Sequence, residues 1–125
     1  MEKKHGLVAL LLLLLLVACG PTDNYGYPSK INFGKEGGTK ICSGRIIVSS
    51  ISINDYNGNG IAELTKDEND TIITKYYWLT VKFKRLVGHE IKIIAEPNTT
   101  GKKRTLYVSG SIYDDDATIK VTQDK

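Results

Sequence analysis

From Thr71 to the end of the chain, apolar and polar residues alternate at a period of two. Tyr77, Leu79, Val81 and Phe83 fall on one phase of a long run. Ile91, Ile93 and Ala95 do the same further on, followed by Leu106 and Val108, then Ile119 and Val121. Successive side chains of a strand point to opposite faces, so this pattern buries one face and wets the other. No apolar stripe of helical period persists for three turns. The alternation predicts strands over residues 30–34, 39–42, 45–54, 71–85, 89–96, 104–113 and 117–123. Turn residues separate them, which predicts an all-β chain in which two antiparallel sheets pack as a sandwich of about seven strands.

The N-terminal segment follows a different logic. Lys3 and Lys4 precede an unbroken apolar run over residues 7–17 that is mostly leucine. A bilayer-spanning helix needs about 20 apolar residues, so this run is too short to span and has the length of a signal-peptide core. The run ends Leu16-Val17-Ala18-Cys19. This resembles the lipobox of bacterial lipoproteins. That resemblance implies cleavage after residue 18 and a lipid anchor on Cys19, whose thiolate accepts a diacylglyceryl group. Stable anchoring takes two chains or more, at about 0.8 kcal/mol per buried CH₂. Position 20 is Gly, not the Asp that marks inner-membrane retention in some bacteria. The expected place is therefore the cell envelope, with the outer membrane favoured.

Three segments follow: a signal peptide over 1–18, a lipid-anchored linker over 19–29 and a β-domain over 30–125. The linker holds two prolines and two glycines and no aliphatic residue. The formal charge is +3, and residues 1–18 hold two of the lysines and one of the acids. The remainder is close to balanced, which gives no expectation of nucleic-acid binding. With Cys19 consumed by lipid, Cys42 has no partner and is expected as a small buried hydrophobe. The core must then hold the domain without disulfides.

Motif pieces occur in order along the β-domain. Phe33 precedes Glu36-Gly37-Gly38-Thr39, and Trp78-Leu79-Thr80-Val81 comes next. Ile91 to Ala95 leads into Glu96-Pro97-Asn98-Thr99-Thr100-Gly101, then Arg104 and Leu106-Tyr107-Val108. Ile119-Lys120-Val121-Thr122-Gln123 ends the series. This order resembles the BACON-type domain, a Bacteroidetes-associated module linked to carbohydrate binding. The resemblance implies an immunoglobulin-like β-sandwich. Residues 54–70 depart from it, being longer and more polar. Physical chemistry gives most motif residues structural work. Gly37-Gly38 suits a turn, Asn98 and Gly101 suit a tight turn, Arg104 can bond that turn's carbonyls, and Gln123 can satisfy backbone groups at a sheet end.

Candidate chemistry is sparse. His89 and Cys42 are far apart in sequence, and no nucleophile elbow, phosphate loop or paired-histidine motif occurs. An enzyme is not expected, nor is a cofactor. Sugars present apolar C–H faces that stack on rings, so exposed aromatics are the candidates for glycan binding. Strict alternation places Tyr77 inside and puts Tyr76 and Trp78 outside, with Tyr107 outward on its own strand. The competing and favoured reading makes Trp78 a cap on the core, since Trp is highly buried on average, and the loops around Tyr56 and Tyr113 are equally open to an aromatic platform. Asp55, Asn57 and Asn59, followed by Gly60, match the first half of a calcium loop, but Lys66 stands where a bidentate Glu should be. An Asn-Gly turn is the favoured reading of that loop. Asp114-Asp115-Asp116 reads as a solvated turn. Asn98-Thr99-Thr100 fits an N-glycosylation triplet, and Thr71 in Asp70-Thr71-Ile72 resembles an O-glycosylation motif. The functional expectation is a lipid-anchored envelope binding module that recognises glycans. The alternative is a structural or protein-interaction lipoprotein with no small-molecule ligand.

Overall fold

A computed structural model describes residues 24–60, 63–67, 69–84 and 88–125. Among the described residues nine strands follow one another: β1 (Lys30–Phe33), β2 (Gly38–Ser43), β3 (Ile51–Asn54), β4 (Glu63–Lys66), β5 (Thr71–Tyr76), β6 (Leu79–Lys84), β7 (Glu90–Ala95), β8 (Arg104–Ile112) and β9 (Asp115–Gln123). They form a four-stranded sheet in the order β1-β9-β8-β3 and a five-stranded sheet in the order β2-β7-β6-β5-β4. Every pairing is antiparallel except β1 with β9, which run parallel. The all-β sandwich expected from the alternation is present, and its sheets pack their apolar phases together.

The inner faces carry that core. Leu79, Val81 and Phe83 of β6 and Ile91, Ile93 and Ala95 of β7 are buried. Leu106 and Val108 of β8 and Ile119 and Val121 of β9 are buried as well. Cys42 is buried without a disulfide partner, and desolvation pushes its thiol up from the ordinary range.

The expected strand over 71–85 is two strands. Tyr76 pairs with Leu79, so Tyr77 and Trp78 form a two-residue hairpin loop. Two-residue hairpins require positive φ at the first loop position, where Gly, Asn or Asp is usual. Tyr77 takes that conformation at φ +52°, so no conventional turn residue marks the break. The turn resets the alternation. Trp78 is buried and Tyr77 is 73% exposed, the reverse of the assignment that unbroken alternation gives.

Other boundaries shift for identifiable reasons. Within 45–54 only β3 is a strand. The preceding residues wrap the end of the sheet, with Ser49 N–H donating to Ser111 O and Ser111 N–H donating to Ser50 O. β4 is an edge strand in the polar stretch, where no strand is expected from the alternation. Asp115 and Asp116 belong to β9, leaving Tyr113 and Asp114 as the turn. Residues 24–29 belong to the domain rather than to a linker. Tyr27 is buried and donates its hydroxyl to Ile46 O at 2.7 Å. The Asn24 amide donates to Thr118 O at 2.9 Å, and Asn24 Oδ1 accepts from Thr118 N–H. The hydrogen-bonding capacity of Asn and Tyr ties down a stretch with no aliphatic side chain.

One core position is imperfectly matched. Thr74 is fully buried on β5, and its hydroxyl has no hydrogen-bond partner among the described residues. A buried unpaired hydroxyl loses its water without compensation. Thr74→Val is expected to stabilise the domain by about 1 kcal/mol, measured as a higher urea midpoint at unchanged slope. A lower midpoint would show that the hydroxyl is satisfied.

Candidate functional site

One end of the sandwich gathers most of the motif residues. Gly37 begins the structure there. Its φ is +76°, and a Cβ would lie 2.2 Å from Ala95 O, so only glycine fits between β2 and β7. Gln123 ends β9 fully buried. Its amide donates to Gly34 O at 3.1 Å and to Glu96 O at 2.8 Å. Its Oε1 accepts from Arg104 Nε at 2.8 Å. The Arg104 guanidinium also donates to Glu96 O and Pro97 O, both at 3.2 Å, and sits 4.6 Å over the Trp78 ring. Asn98 is buried beside them and donates to Lys102 O and Asp124 O. These groups close the open end of both sheets by satisfying carbonyls that the ladders leave unpaired. Trp78 is therefore the lid of the core, with Arg104 across its face.

The rings left in solvent at this end belong to the hairpin tip. Tyr76 is half-buried and Tyr77 exposed, with ring centroids 4.5 Å apart at 61°. That edge-to-face contact fixes the two rings relative to each other. β3 packs against β5, which brings the following loop to the same end. Desolvation first, then Tyr77 and Asp55, pushes the Tyr76 hydroxyl above its ordinary range. Tyr56, the next residue, is 86% exposed.

The loop that resembled a calcium site has another use for its oxygens. Asp55 Oδ1 accepts from Asn57 N–H and Asn59 N–H, both at 2.9 Å, and Asp55 N–H donates to Asn59 O. Gly58 takes φ +81° to complete the turn. The same design recurs at residues 67–71. Asp67 Oδ1 accepts from Asn69 N–H and Thr71 N–H, and Asp70 takes φ +62° in the place of glycine. These bonds hold the Asp67 carboxyl below its ordinary range, with Lys82 and Lys84 contributing less. Among the described residues, no three His, Cys, Asp or Glu side chains are placed to hold a metal ion.

The remaining candidates scatter. Tyr107 lies on the outer face of the four-stranded sheet, in register with Asn54 and Lys120, and is half-buried there. The sheet arrangement therefore separates Tyr107 from the Tyr76–Tyr77 tip, and the expected trio with Trp78 is not assembled. Thr71 opens β5, half-buried. The Asn98 amide nitrogen is committed to two carbonyls, so Asn98 is not a free acceptor for N-glycosylation in the folded domain. Cys19 and the segment over 1–18 lie outside the described residues. Tyr77 is the site residue that strict alternation misplaces. A two-residue break between two apolar strands is visible only once the pairing of 71–76 with 79–84 is known.

No family model matches the chain, and no curated protein matches it. Among solved structures, an NMR structure of a protein from Bacteroides thetaiotaomicron is similar with a TM-score of 0.54 and 19% identity, over 77% of this chain and 75% of that one. This likeness shows the fold. A Bacteroides ovatus GH5 xyloglucanase in complex with a heptasaccharide is similar with a TM-score of 0.46 and 18% identity, over 82% of this chain and 18% of that one.

Proposed function

We propose that this chain is a lipid-anchored module of the cell envelope, of the BACON-like kind, that binds saccharides at the Tyr76–Tyr77 tip. The anchor is Cys19, on the strength of the lipobox-like sequence behind a short apolar run. The observation that carries the binding reading is Tyr77. Its backbone is held at φ +52° and its ring is 73% exposed. Left-handed backbone at a non-glycine residue costs roughly 1–2 kcal/mol. Tyr113 takes the same conformation in the β8–β9 turn at φ +53° and is 91% exposed, and what sets Tyr77 apart is the Tyr76 ring packed edge-to-face against it. An aromatic face braced by Tyr76, with the Asp55 carboxylate near enough to act on the Tyr76 hydroxyl, suits the stacking and hydroxyl pairing that a sugar ring requires.

Tyr77→Gly separates the two roles of this residue. It is expected to leave the domain as stable or more stable by about 1 kcal/mol. It is expected to weaken binding of neutral saccharides on a glycan array by about tenfold or more, as truncation of a central aromatic anchor does. Retained binding of neutral glycans in the variant, or no binding of neutral glycans by the folded wild-type protein, would overturn the reading.

A further inference from the structure

The outer face of the five-stranded sheet carries an arrangement that folding alone does not favour. Lys82 of β6 and Lys92 of β7 stand directly opposite each other, both on the solvent side. Like charges in direct cross-strand register are destabilising. Lys84 lies two residues further along the same face of β6, about 7 Å away. None of the three ammonium groups forms an ion pair among the described residues, whereas Lys66 and Lys75 do, with Asp70 and Glu96.

These lysines line a groove of about 610 Å³ whose other walls include Ile41, Thr71 and His89. Ile41 is 60% exposed and sits opposite Lys92 in the register, so an apolar surface flanks the cationic row. Two acids border the groove, Asp67 and Glu90. Asp67 is held ionised by two backbone N–H groups of its own loop and, to a lesser degree, by Lys82 and Lys84, so it offsets part of the charge of that row and leaves Lys92 on its far side. Glu90 leads into β7, two residues before Lys92. The Phe83 ring is buried, so the groove offers no exposed ring of Phe, Tyr or Trp on which a nucleobase could stack.

We infer that this groove is a second binding site, for an acidic oligosaccharide bearing carboxylate or sulfate groups. Lys82 and Lys92 together take one anionic group, which relieves their mutual repulsion. Lys84 takes the next, and Ile41 receives the C–H face of a sugar ring. The chemical class rests on the saccharide reading above, but the site is separate from the Tyr77 tip.

The test is calorimetric titration of the purified full chain in neutral detergent. The probes are an oligogalacturonate, a heparin-derived tetrasaccharide and a neutral cello-oligosaccharide of equal length. Acidic probes are expected to bind more tightly than the neutral one, with affinity falling as salt is raised. Lys82→Gln with Lys92→Gln is expected to weaken the acidic probes by about tenfold or more, while Tyr77→Gly leaves them unchanged. The double variant loses a repulsion and is expected to melt no lower than wild type, so lost binding will not reflect unfolding. Equal binding of acidic and neutral probes, or full binding by the double variant, overturns the groove. So does binding of phosphatidylglycerol vesicles through these lysines without binding of acidic saccharides. Neutral glycans bound at Tyr77 with no response to acidic ones would sink the groove and leave the tip standing.

Discussion

Trp78→Ala will cost the domain about 3–5 kcal/mol, the usual loss when a buried Trp is truncated in a core. The ring is 7% exposed and covers the end of the sandwich beneath the Arg104 guanidinium. Its removal opens a void at the edge of the core and also releases Arg104. That arginine holds Glu96 O, Pro97 O and Gln123 Oε1 in place, so the loss extends past one side chain. Urea unfolding of the variant will show a large drop in midpoint, and near-ultraviolet dichroism will show lost packing. A variant that unfolds like wild type and lacks only ligand binding would make Trp78 a surface platform, against the geometry described here.

The second large effect is expected at Asn98. Its amide nitrogen donates to Lys102 O at 2.8 Å and Asp124 O at 2.9 Å, while its Oδ1 accepts from Thr100 N–H and Oγ1. Asn98→Asp keeps the shape and removes both donors. A carboxylate would then face two carbonyl oxygens in a site that is 1% exposed. An uncompensated buried charge costs about 3–5 kcal/mol. Thermal unfolding at neutral pH should show the loss, and unfolding at a pH that protonates the new carboxyl should show part of it recovered. An unchanged melting temperature at neutral pH would mean that this turn does not hold the sheet ends together.

These two sites show what the sequence discloses and what it withholds. The structural duties of Asn98, Gly101, Arg104 and Gln123 follow from residue chemistry, because each is suited to a turn or to carbonyl pairing. The structure realises each of them: Gly101 takes φ +75°, and the other three make the expected bonds. The inner faces of β6 to β9 were equally legible, since alternation needs no knowledge of partners. The hairpin at Tyr77 and Trp78 was not. Its turn residues are aromatic, and φ +52° at Tyr77 is sustained by the pairing of β5 with β6, which is a tertiary fact. The sheet-end role of 24–29 was hidden for a related reason: a run with Pro and Gly reads as a linker until Asn24 and Tyr27 find partners in distant segments. The parallel pairing of β1 and the Lys82–Lys92 register likewise depend on which strands become neighbours.

Saccharide recognition at the hairpin tip is tested most directly by amide chemical-shift mapping. Isotope-labelled protein would be titrated with short, soluble, neutral oligosaccharides of plant and mucin type. Shifts that saturate and cluster at residues 55–60 and 76–78 are the result predicted here. Shifts confined to the Tyr107 face or to the opposite end at Tyr113, or no saturable shift in a folded protein, would contradict it.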